Sequence, residues 1–178
     1  MIELRPYQSE DLAKISNWYS DSQTRKWLGD KTWLDNVERL LSEPVGTEFR
    51  GAKRISYHPY IVTEDEKAVG FIDAGISDKY VVWGIDASGE QGVLSAEDVL
   101  TAGITFMVDP AQRGKGLAAK MLRNLLDMPE LANVVVFEAG VEPDNQASVK
   151  SLMKAGFEPE GEVDFEGMQY YKYDRRIK

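Results

Sequence analysis

One stretch of the chain limits its possible folds more than any other. Residues 102–126 contain an apolar, β-prone run, two closely spaced glycines and an apolar helical stripe, in that order. Residues 102–108 favour a strand, which the following Asp-Pro pair ends. The apolar positions from Leu117 to Leu125 recur at helical spacing, and Gly114 and Gly116 lie between the two segments. This order predicts a strand, a tight turn and a helix, and therefore a fold that combines a sheet with helices.

The rest of the chain alternates between short β-prone runs and amphipathic helical segments. We predict strands at residues 2–5, 60–62, 68–74, 80–85, 134–141, 157–165 and 168–173, and helices at residues 12–19, 33–41 and 145–155. The polar residues 47–57 are predicted to form a mobile loop, and residues 86–92 a second loop. No repeat, low-complexity tract or linker divides the chain. These patterns predict one α/β (α+β) domain over residues 1–178, with helices packed on a largely antiparallel sheet.

Composition and charge argue against several kinds of function. The chain has 30 acidic and 21 basic side chains and a net charge of −9, which disfavours nonspecific nucleic-acid binding because phosphates attract Lys and Arg. It has no cysteine and a single histidine, His58, so we expect neither a disulfide nor a metal site. No apolar run approaches the roughly 18 residues of a membrane span, and the first residues lack the apolar segment of a signal peptide. We therefore expect a cytoplasmic protein that binds neither membranes nor nucleic acid.

The glycine turn predicts a site for an anion. Backbone N–H groups at the start of the following helix would be free, and the helix dipole favours negative charge there. Gly114 and Gly116 carry no side chain that would keep a phosphate away, while Arg113 and Lys115 add positive charge and Lys120 is within reach. The alternative is an ordinary turn whose Arg and Lys side chains point into water. The stretch matches neither the GxxxxGK[ST] nor the GxGxxG pattern of other nucleotide-binding loops.

Two motifs resemble the signatures of the GNAT family of N-acetyltransferases. Residues 113–118, Arg-Gly-Lys-Gly-Leu-Ala, match the pattern R/Q-x-x-G-x-G/A. Residues 145–148, Asn-Gln-Ala-Ser, are followed at residues 154–157 by Lys-Ala-Gly-Phe, and together they resemble the second signature, N-x-x-S/A…K-x-G-F. The order of predicted elements along most of the chain is similar to that family as well. The resemblance implies the GNAT fold, with its mixed, mostly antiparallel central sheet, and acetyl-coenzyme A as the cosubstrate.

The resemblance also implies roles for individual residues. The backbone amides of residues 113–118 would hold the pyrophosphate, and the strand at residues 104–108 would hydrogen-bond the pantetheine arm. A backbone N–H near Met107 or Val108 would stabilise the oxyanion of the reaction. Asn145 would contact the cofactor, although it can equally serve as the cap of its helix. The residues implied in cofactor binding are Met107, Val108, Arg113, Gly114, Lys115, Gly116, Leu117, Ala118, Asn145 and Ser148.

The general acid and base are less well defined. Many family members place a tyrosine, the general acid, seven residues after the signature asparagine, but here that position is Leu152, which puts this mechanism in doubt. A thiolate is a fair leaving group, whereas an alkylamine is mostly protonated at neutral pH, so a base matters more than an acid. Glu138 is the most interesting candidate because an apolar strand would raise its pKa, although it can also be a satisfied core residue. The other candidate carboxylates, each of which can equally be a solvated surface group, are Asp73, Asp86, Glu97 and Asp98.

The sequence predicts an amine acceptor without identifying it. Residues 17–21 and 25–29 resemble regions of two family branches, one that acetylates protein N-termini and one that acetylates the 6′-amine of aminoglycosides. An acidic protein suits a cationic acceptor such as an aminoglycoside or a polyamine. Aromatic residues at helical spacing are more often core than substrate contacts. The alternatives are a noncatalytic acyl-coenzyme A sensor and a partner-binding domain with an empty cleft, and the hairpin at Gly167 would offer an edge for a homodimer.

Overall fold

The centre of the molecule is an eight-stranded sheet, seen in a computed structural model that describes residues 1–30 and 32–178. The strands are β1 Ile2–Pro6, β2 Glu48–Phe49, β3 Ala52–Glu64, β4 Lys67–Ser77, β5 Tyr80–Ile85, β6 Gln91–Glu97, β7 Thr101–Val108, β8 Val136–Val141, β9 Glu158–Glu160 and β10 Gln169–Asp174. The sheet has the order β1-β3-β4-β7-β8-β10-β9, with β2 beside β3, while β5 and β6 form a separate hairpin. The pair β7 and β8 is parallel and the other pairs are antiparallel. The predicted mixed, mostly antiparallel fold is therefore confirmed.

Helices flank both faces of this sheet. The α-helices are α1 Asp11–Asn17, α2 Ser22–Leu28, α3 Thr32–Ser42, α4 Leu117–Leu126 and α5 Gln146–Lys154. Asp21 caps α2 because its side chain accepts a hydrogen bond from the Thr24 N–H at 2.8 Å. Asn145 caps α5 in the same way through the Ser148 N–H at 3.3 Å, as predicted for this residue. The helix α4 begins directly after Gly116, which has a left-handed backbone.

A buried cluster lies on each face of the sheet because side chains alternate along a strand. On what we call the α4/α5 face, Leu122 and Leu152 are fully buried in one cluster with Ile72. On the opposite face, which we call the α1/α3 face, Ile15 is buried in a second cluster with Phe71. Burial of each such side chain contributes about 1.5–3 kcal/mol. The two clusters thus hold helices on both sides of the central strands.

The parallel strands β7 and β8 diverge, and this opens the middle of the sheet. Their register pairs residues 101–103 with residues 136–138 and extends no further. Beyond Gly103, β7 continues to Val108 paired with β4, while β8 continues to Val141 paired with β10. In the described part of the chain, the facing edges of these two segments have no strand partner. Their main-chain groups are therefore open to a ligand in the gap.

Two predicted stretches have a different structure. Residues 47–57, predicted to be a mobile loop, contain β2 and the first half of β3, whose pairing with β4 extends to Arg54 and Ser77. The first half of β3 is largely not buried and contains many polar residues, so its composition resembles that of a loop. The predicted strand at residues 157–165 is limited to β9, because Gly161 turns the chain with φ +62°.

The helix α2 and the strand β6 were not predicted. Thr24 is the buried residue of α2, and β6 has no fully buried residue. Elements that bury so little lack the apolar periodicity by which helices and strands are recognised in a sequence. The strand β6 begins at Gln91, inside the predicted loop at residues 86–92.

Candidate active site

The loop before α4 presents a concave set of backbone N–H groups. Gly114 and Gly116 have φ of +78° and +71°, in the left-handed region that residues with a side chain adopt at a cost. A Cβ on Gly114 would meet no atom within 4 Å, so the space beside it is open. Among the described residues, no hydrogen bond uses a backbone N–H of residues 113–118 as its donor. We call this loop the N–H cradle, and its donors are available to a ligand.

A cleft of about 660 Å³ joins the N–H cradle to the gap between β7 and β8. It is lined by the free edge of β7, the end of β8, the first turn of α4, one side of α5 along its whole length, and one side of α2. The predicted cofactor-binding residues that line it are Met107, Val108, Arg113, Gly114, Gly116, Leu117, Ala118, Asn145 and Ser148. The structure therefore brings together residues from both sequence motifs and from the strand between them.

The positive side chains at the cradle differ from those predicted. Lys115 Nζ donates a hydrogen bond at 2.6 Å to a glutamine of its own loop, Lys120 is exposed, and neither residue lines the cleft. Lys150 and Lys154 line it instead, from α5. A Cβ on Gly116 would lie 4.0 Å from Lys154 Nζ, so this ammonium group is beside the cradle. Lys154 is the lysine of the second sequence motif, which was the signal that could have identified it.

Arg113 lines the cleft, but its guanidinium group contacts α2. Its Nη1 lies 2.7 Å from Asp21 Oδ2 and 3.3 Å from Gln23 Oε1, and its Nη2 donates to Thr24 Oγ1 at 2.6 Å. The hydrogen bond from the Thr24 N–H lowers the pKa of Asp21, and Arg113 lowers it further. Arg113 thus joins the N–H cradle to a helix on another side of the cleft, a contact that the sequence did not predict.

At the start of α5, the position of Asn145 is compatible with both of the roles predicted for it, as a helix cap and as a cofactor contact. Asn145 is buried, caps the helix and lines the cleft, so capping does not remove it from the site. Leu152, at the position of the family tyrosine, is fully buried in the cluster of the α4/α5 face. The helix α5 therefore offers no general acid at that position.

The best-placed carboxyl group belongs to Asp73 of β4, on the α1/α3 face. Asp73 is 5% exposed, and it accepts hydrogen bonds from the Tyr57 hydroxyl at 2.7 Å and from the Thr105 N–H at 2.9 Å. Burial raises the pKa of Asp73 to about 6, although both hydrogen bonds oppose the rise. Trp33 and Thr105 line the large cleft and also a smaller cavity of about 170 Å³ that reaches Asp73. This carboxyl group therefore adjoins the cleft beside the free edge of β7.

Glu138 lies on the same face of the sheet but does not line the cleft. Its partner Gly103 also pairs with Gly75 of β4, and Gly103 is exposed although it lies in a central strand. Burial and then the charge of Glu160 raise the pKa of Glu138 to about 7, whereas Lys172 lowers it. The Lys172 ammonium group lies 2.6 Å from Glu160, so the two carboxylates share one positive charge. The exposed Gly103 therefore lies between Glu138 and Asp73 on this face of the sheet.

Three other predicted carboxylates do not line the cleft. Asp86 lies in the exposed turn between β5 and β6, where hydrogen bonds from Ser88 and other groups of the turn lower its pKa. The hydrogen bond from Arg176 lowers the pKa of Glu97. Asp98 is exposed. Because a lowered pKa makes a carboxylate a weaker base, Asp86 does not suit the catalytic role predicted for it.

Aromatic side chains form part of the cleft wall. Trp27 and Trp33 line the cleft, and Lys26 Nζ lies 4.0 Å from the ring centroid of Trp27. Trp18 and Tyr19 are buried in the cluster of the α1/α3 face, as expected for aromatic residues at helical spacing. The aromatic residues of the first 33 positions therefore divide between core and cleft.

Two kinds of feature are absent from the part of the chain that the structure describes. No group of three or more His, Asp or Glu side chains within residues 1–30 and 32–178 is placed to hold a metal ion. Of the helices described above, none combines the length and the apolar character needed to cross a membrane.

Comparison with known sequences identifies the family. The profile described as "Acetyltransferase (GNAT) domain" matches residues 2–158. The L-2,4-diaminobutyric acid acetyltransferase of Marinococcus halophilus is 31% identical over 107 residues, which are 58% of this chain and 50% of that protein. The enzyme of the same name from Halalkalibacterium halodurans is 34% identical over 98 residues, 53% of this chain and 41% of that protein. The chain thus matches half or less of the length of these curated relatives.

Comparison with solved structures shows the same fold. The aminoglycoside acetyltransferase AAC(6′)-Ib, in a crystal structure with coenzyme A, has a TM-score of 0.66 at 22% identity, over 99% of this chain and 96% of that one. The spermidine N-acetyltransferase from Vibrio cholerae, in complex with coenzyme A and spermine, has a TM-score of 0.66 at 14% identity, over 98% and 96% of the two chains. At these identities, the likeness establishes the arrangement of helices and strands.

Proposed function

The chain belongs to the GNAT acetyltransferase family, and we propose that it transfers the acetyl group of acetyl-coenzyme A to a primary amine. One observation carries this proposal: the N–H cradle and the unpaired edge of β7 line a single cleft, and the buried carboxyl group of Asp73 adjoins it. The cradle provides an anion site, the edge provides main-chain hydrogen bonds, and the carboxyl group provides a base. An acyl-coenzyme A cosubstrate and an amine acceptor require these three features together.

The residues present fit coenzyme A. The free N–H groups of the cradle and the Lys154 ammonium group would hold the pyrophosphate, while the edge of β7 would hydrogen-bond the amides of the pantetheine arm. A strand rises about 3.3 Å per residue, so the free edge from Ile104 to Val108 is about 13 Å long and extends from the cradle towards Asp73. When bound, acetyl-coenzyme A supplies an acetyl group activated as a thioester. Backbone N–H groups alternate in direction along a strand, and those of Thr105 and Asp109 are bonded to β4, so the oxyanion donor is an N–H that faces the gap, which we place at Val108.

Asp73 has the position and the protonation state of a general base. An alkylammonium group has a pKa near ~10.4 in water, so the acceptor must lose a proton before its nitrogen can attack. A carboxyl group with a pKa of about 6 is mostly ionised at neutral pH. We assign Asp73 to accept this proton, directly or through water in the smaller cavity, as the nitrogen bonds to the acetyl carbon and the thiolate leaves. Leu152 offers no proton to the thiolate, which can leave unassisted because the pKa of a thiol is about 8.5.

The acceptor that suits this site carries a second positive group. The names of the similar proteins refer to diaminobutyric acid, aminoglycosides and spermidine, each of which has several amino groups. Asp73 and Glu138 flank the exposed Gly103 on one face, and strand spacing and rise place their Cα atoms about 12 Å apart. Glu138, whose pKa is about 7, and Glu160 share Lys172, so the two groups carry net negative charge opposite Asp73 once Glu138 is ionised, and a nearby ammonium group favours that ionised form. We therefore propose a diamine or polyamine whose reacting nitrogen lies at Asp73 and whose second ammonium group faces Glu138.

A panel of acceptors tests this function. Thiol release from acetyl-coenzyme A is measured with L-2,4-diaminobutyrate, spermidine, an aminoglycoside and monoamines of similar length, and calorimetry measures coenzyme A binding. We expect binding, and turnover that is faster with at least one diamine or polyamine than with the monoamines. The variant Glu138→Gln is expected to raise KM for that acceptor and to leave the KM of a monoamine unchanged. Tight binding without turnover across the panel would support an acyl-coenzyme A sensor instead, and absence of binding would overturn both functions.

A further inference from the structure

The helix α2 connects the two ends of the proposed site. It spans seven residues, Ser22–Leu28, and is therefore about 10 Å long. At its start, Asp21 and Thr24 contact Arg113 of the N–H cradle. At its end, Leu28 packs against the same buried cluster as Trp33, which lines both the cleft and the cavity at Asp73. The cleft residues of α2 are Gln23, Thr24, Trp27 and Leu28.

Few contacts other than those of Arg113 fix α2 across the cleft. Of the seven residues of α2, Thr24 is the one that is buried. Lys26 lies 3.5 Å from Asp144 on the far side of the cleft, but both side chains are more than half exposed, and such pairs contribute little. The Arg113–Asp21 pair is less exposed, at 33% and 27%, and Arg113 adds a hydrogen bond to Thr24. Arginine holds such fixed, multiple contacts better than lysine because its guanidinium group is planar.

We propose that Arg113 is a positioning residue that holds α2 in place as the acceptor-side wall of the cleft, so that its pair with Asp21 sets acceptor affinity more than cofactor affinity. This inference rests on the proposed amine acetyltransferase function. Most of the guanidinium donors of Arg113 face α2, whereas the backbone N–H groups of the cradle and Lys154 remain for the phosphates. Displacement of α2 would move Trp27 and Leu28, which line the cleft, and would leave the cradle unchanged.

The variant Asp21→Asn isolates the ion pair. Asparagine caps a helix as well as aspartate does, so the start of α2 is kept while the charge at Arg113 is lost. We expect the acceptor KM to rise at least fivefold, with kcat changed less than twofold and the calorimetric Kd for coenzyme A within twofold of that of the unaltered protein. The conservative variant Asp21→Glu should restore most of the acceptor affinity. Ser22→Ala, which alters an exposed side chain next to Asp21 that does not line the cleft, is the matched control and should leave both constants within twofold.

An acceptor KM within twofold of the unaltered protein in Asp21→Asn would overturn the proposal. So would a loss of coenzyme A affinity equal to the loss of acceptor affinity, because Arg113 would then serve the cofactor. If Asp21→Asn does not fold, Thr24→Val removes the 2.6 Å hydrogen bond without a change of charge, and the same two constants decide the question. Failure of the unaltered protein to bind coenzyme A or to acetylate any amine would instead overturn the proposed function, and this result is known before any variant is made.

Discussion

Replacement of Asp73 by asparagine separates the chemistry of this carboxyl group from its place in the fold. Asparagine has nearly the same shape, and its oxygen can still accept the hydrogen bond of the Thr105 N–H. Its nitrogen can donate to the Tyr57 hydroxyl if that hydroxyl rotates. What the variant loses is the ability to take a proton. General bases contribute about 10²–10⁴-fold to the rate, and we expect kcat to fall by that factor.

The free energy of unfolding distinguishes this loss from a folding defect. The pKa of Asp73 rises from 3.8 to about 6 on burial, so its ionised form costs about 3 kcal/mol of unfolding free energy at neutral pH. The sign is opposite to that of a salt-bridged carboxylate. The cost is absent below about pH 4, where the group is protonated in both states, and it is complete above the folded pKa of about 6. Asp73→Asn should therefore be as stable as the unaltered protein at pH 7, or more stable.

Thiol release measured from pH 5 to 9 at saturating substrates provides the assay. In the unaltered protein, kcat should fall below a pH of about 6 as Asp73 becomes protonated, and this limb should be absent from Asp73→Asn. The matched control is Asp65→Asn, the same chemical change in the exposed turn between β3 and β4, which should alter neither kcat nor its pH profile. If Asp73→Asn kept more than a third of kcat and the acidic limb, Asp73 would not be the base.

Three further variants test the cradle and the core. Gly116→Ala places a side chain where φ is +71°, and we expect calorimetry to show at least a tenfold loss of coenzyme A affinity, whereas Gly89→Ala, with φ +86° in the turn between β5 and β6, should show none. Lys154→Gln should weaken coenzyme A binding and reduce its salt dependence in titrations at several salt concentrations, and Lys115→Gln should do so much less. Leu152→Tyr should lower the thermal midpoint by overpacking, a cost of about 1–3 kcal/mol, without an increase in kcat.

Each of these expectations has a contrary result. Equal losses from the two glycine variants would mean that backbone strain, and not the site, reduces affinity. A larger effect of Lys115→Gln than of Lys154→Gln would support the prediction made from the sequence, in which Lys115 adds positive charge at the anion site. A rise in kcat for Leu152→Tyr would show that the position can supply a general acid despite its burial.

The fold and much of the cleft lining could be predicted because short, local patterns specify them. The glycines at 114 and 116 and the asparagine at 145 act through the backbone beside them, so a linear motif contains most of the information. The central strands were recognisable from their apolar runs. The elements α2 and β6 were missed because they bury few residues, so their sequences show no apolar periodicity.

The side-chain partners could not be predicted because they are distant in sequence. Arg113 contacts Asp21, 92 positions away, and no local pattern shows that its charge is directed at α2. The raised pKa of Asp73 depends on burial beneath α3 and on Tyr57 and Thr105, so a strand-end aspartate in the sequence looked no different from its neighbours. The preference for Glu138 as the base rested on its apolar strand, and the structure gives it a raised pKa of about 7 but a position outside the cleft.

The short ladder between β7 and β8 has a mechanical consequence. Within residues 1–30 and 32–178, three residue pairs form the strand ladder between the part of the sheet that contains β1, β3, β4 and β7 and the part that contains β8, β10 and β9. A ligand that binds along the free edges of both β7 and β8 would join the two parts of the sheet and resist their separation. At a concentration 100 times its Kd, such a ligand adds about 2.7 kcal/mol to the free energy of unfolding, so the protein would be most resistant to heat and proteolysis while that ligand is abundant.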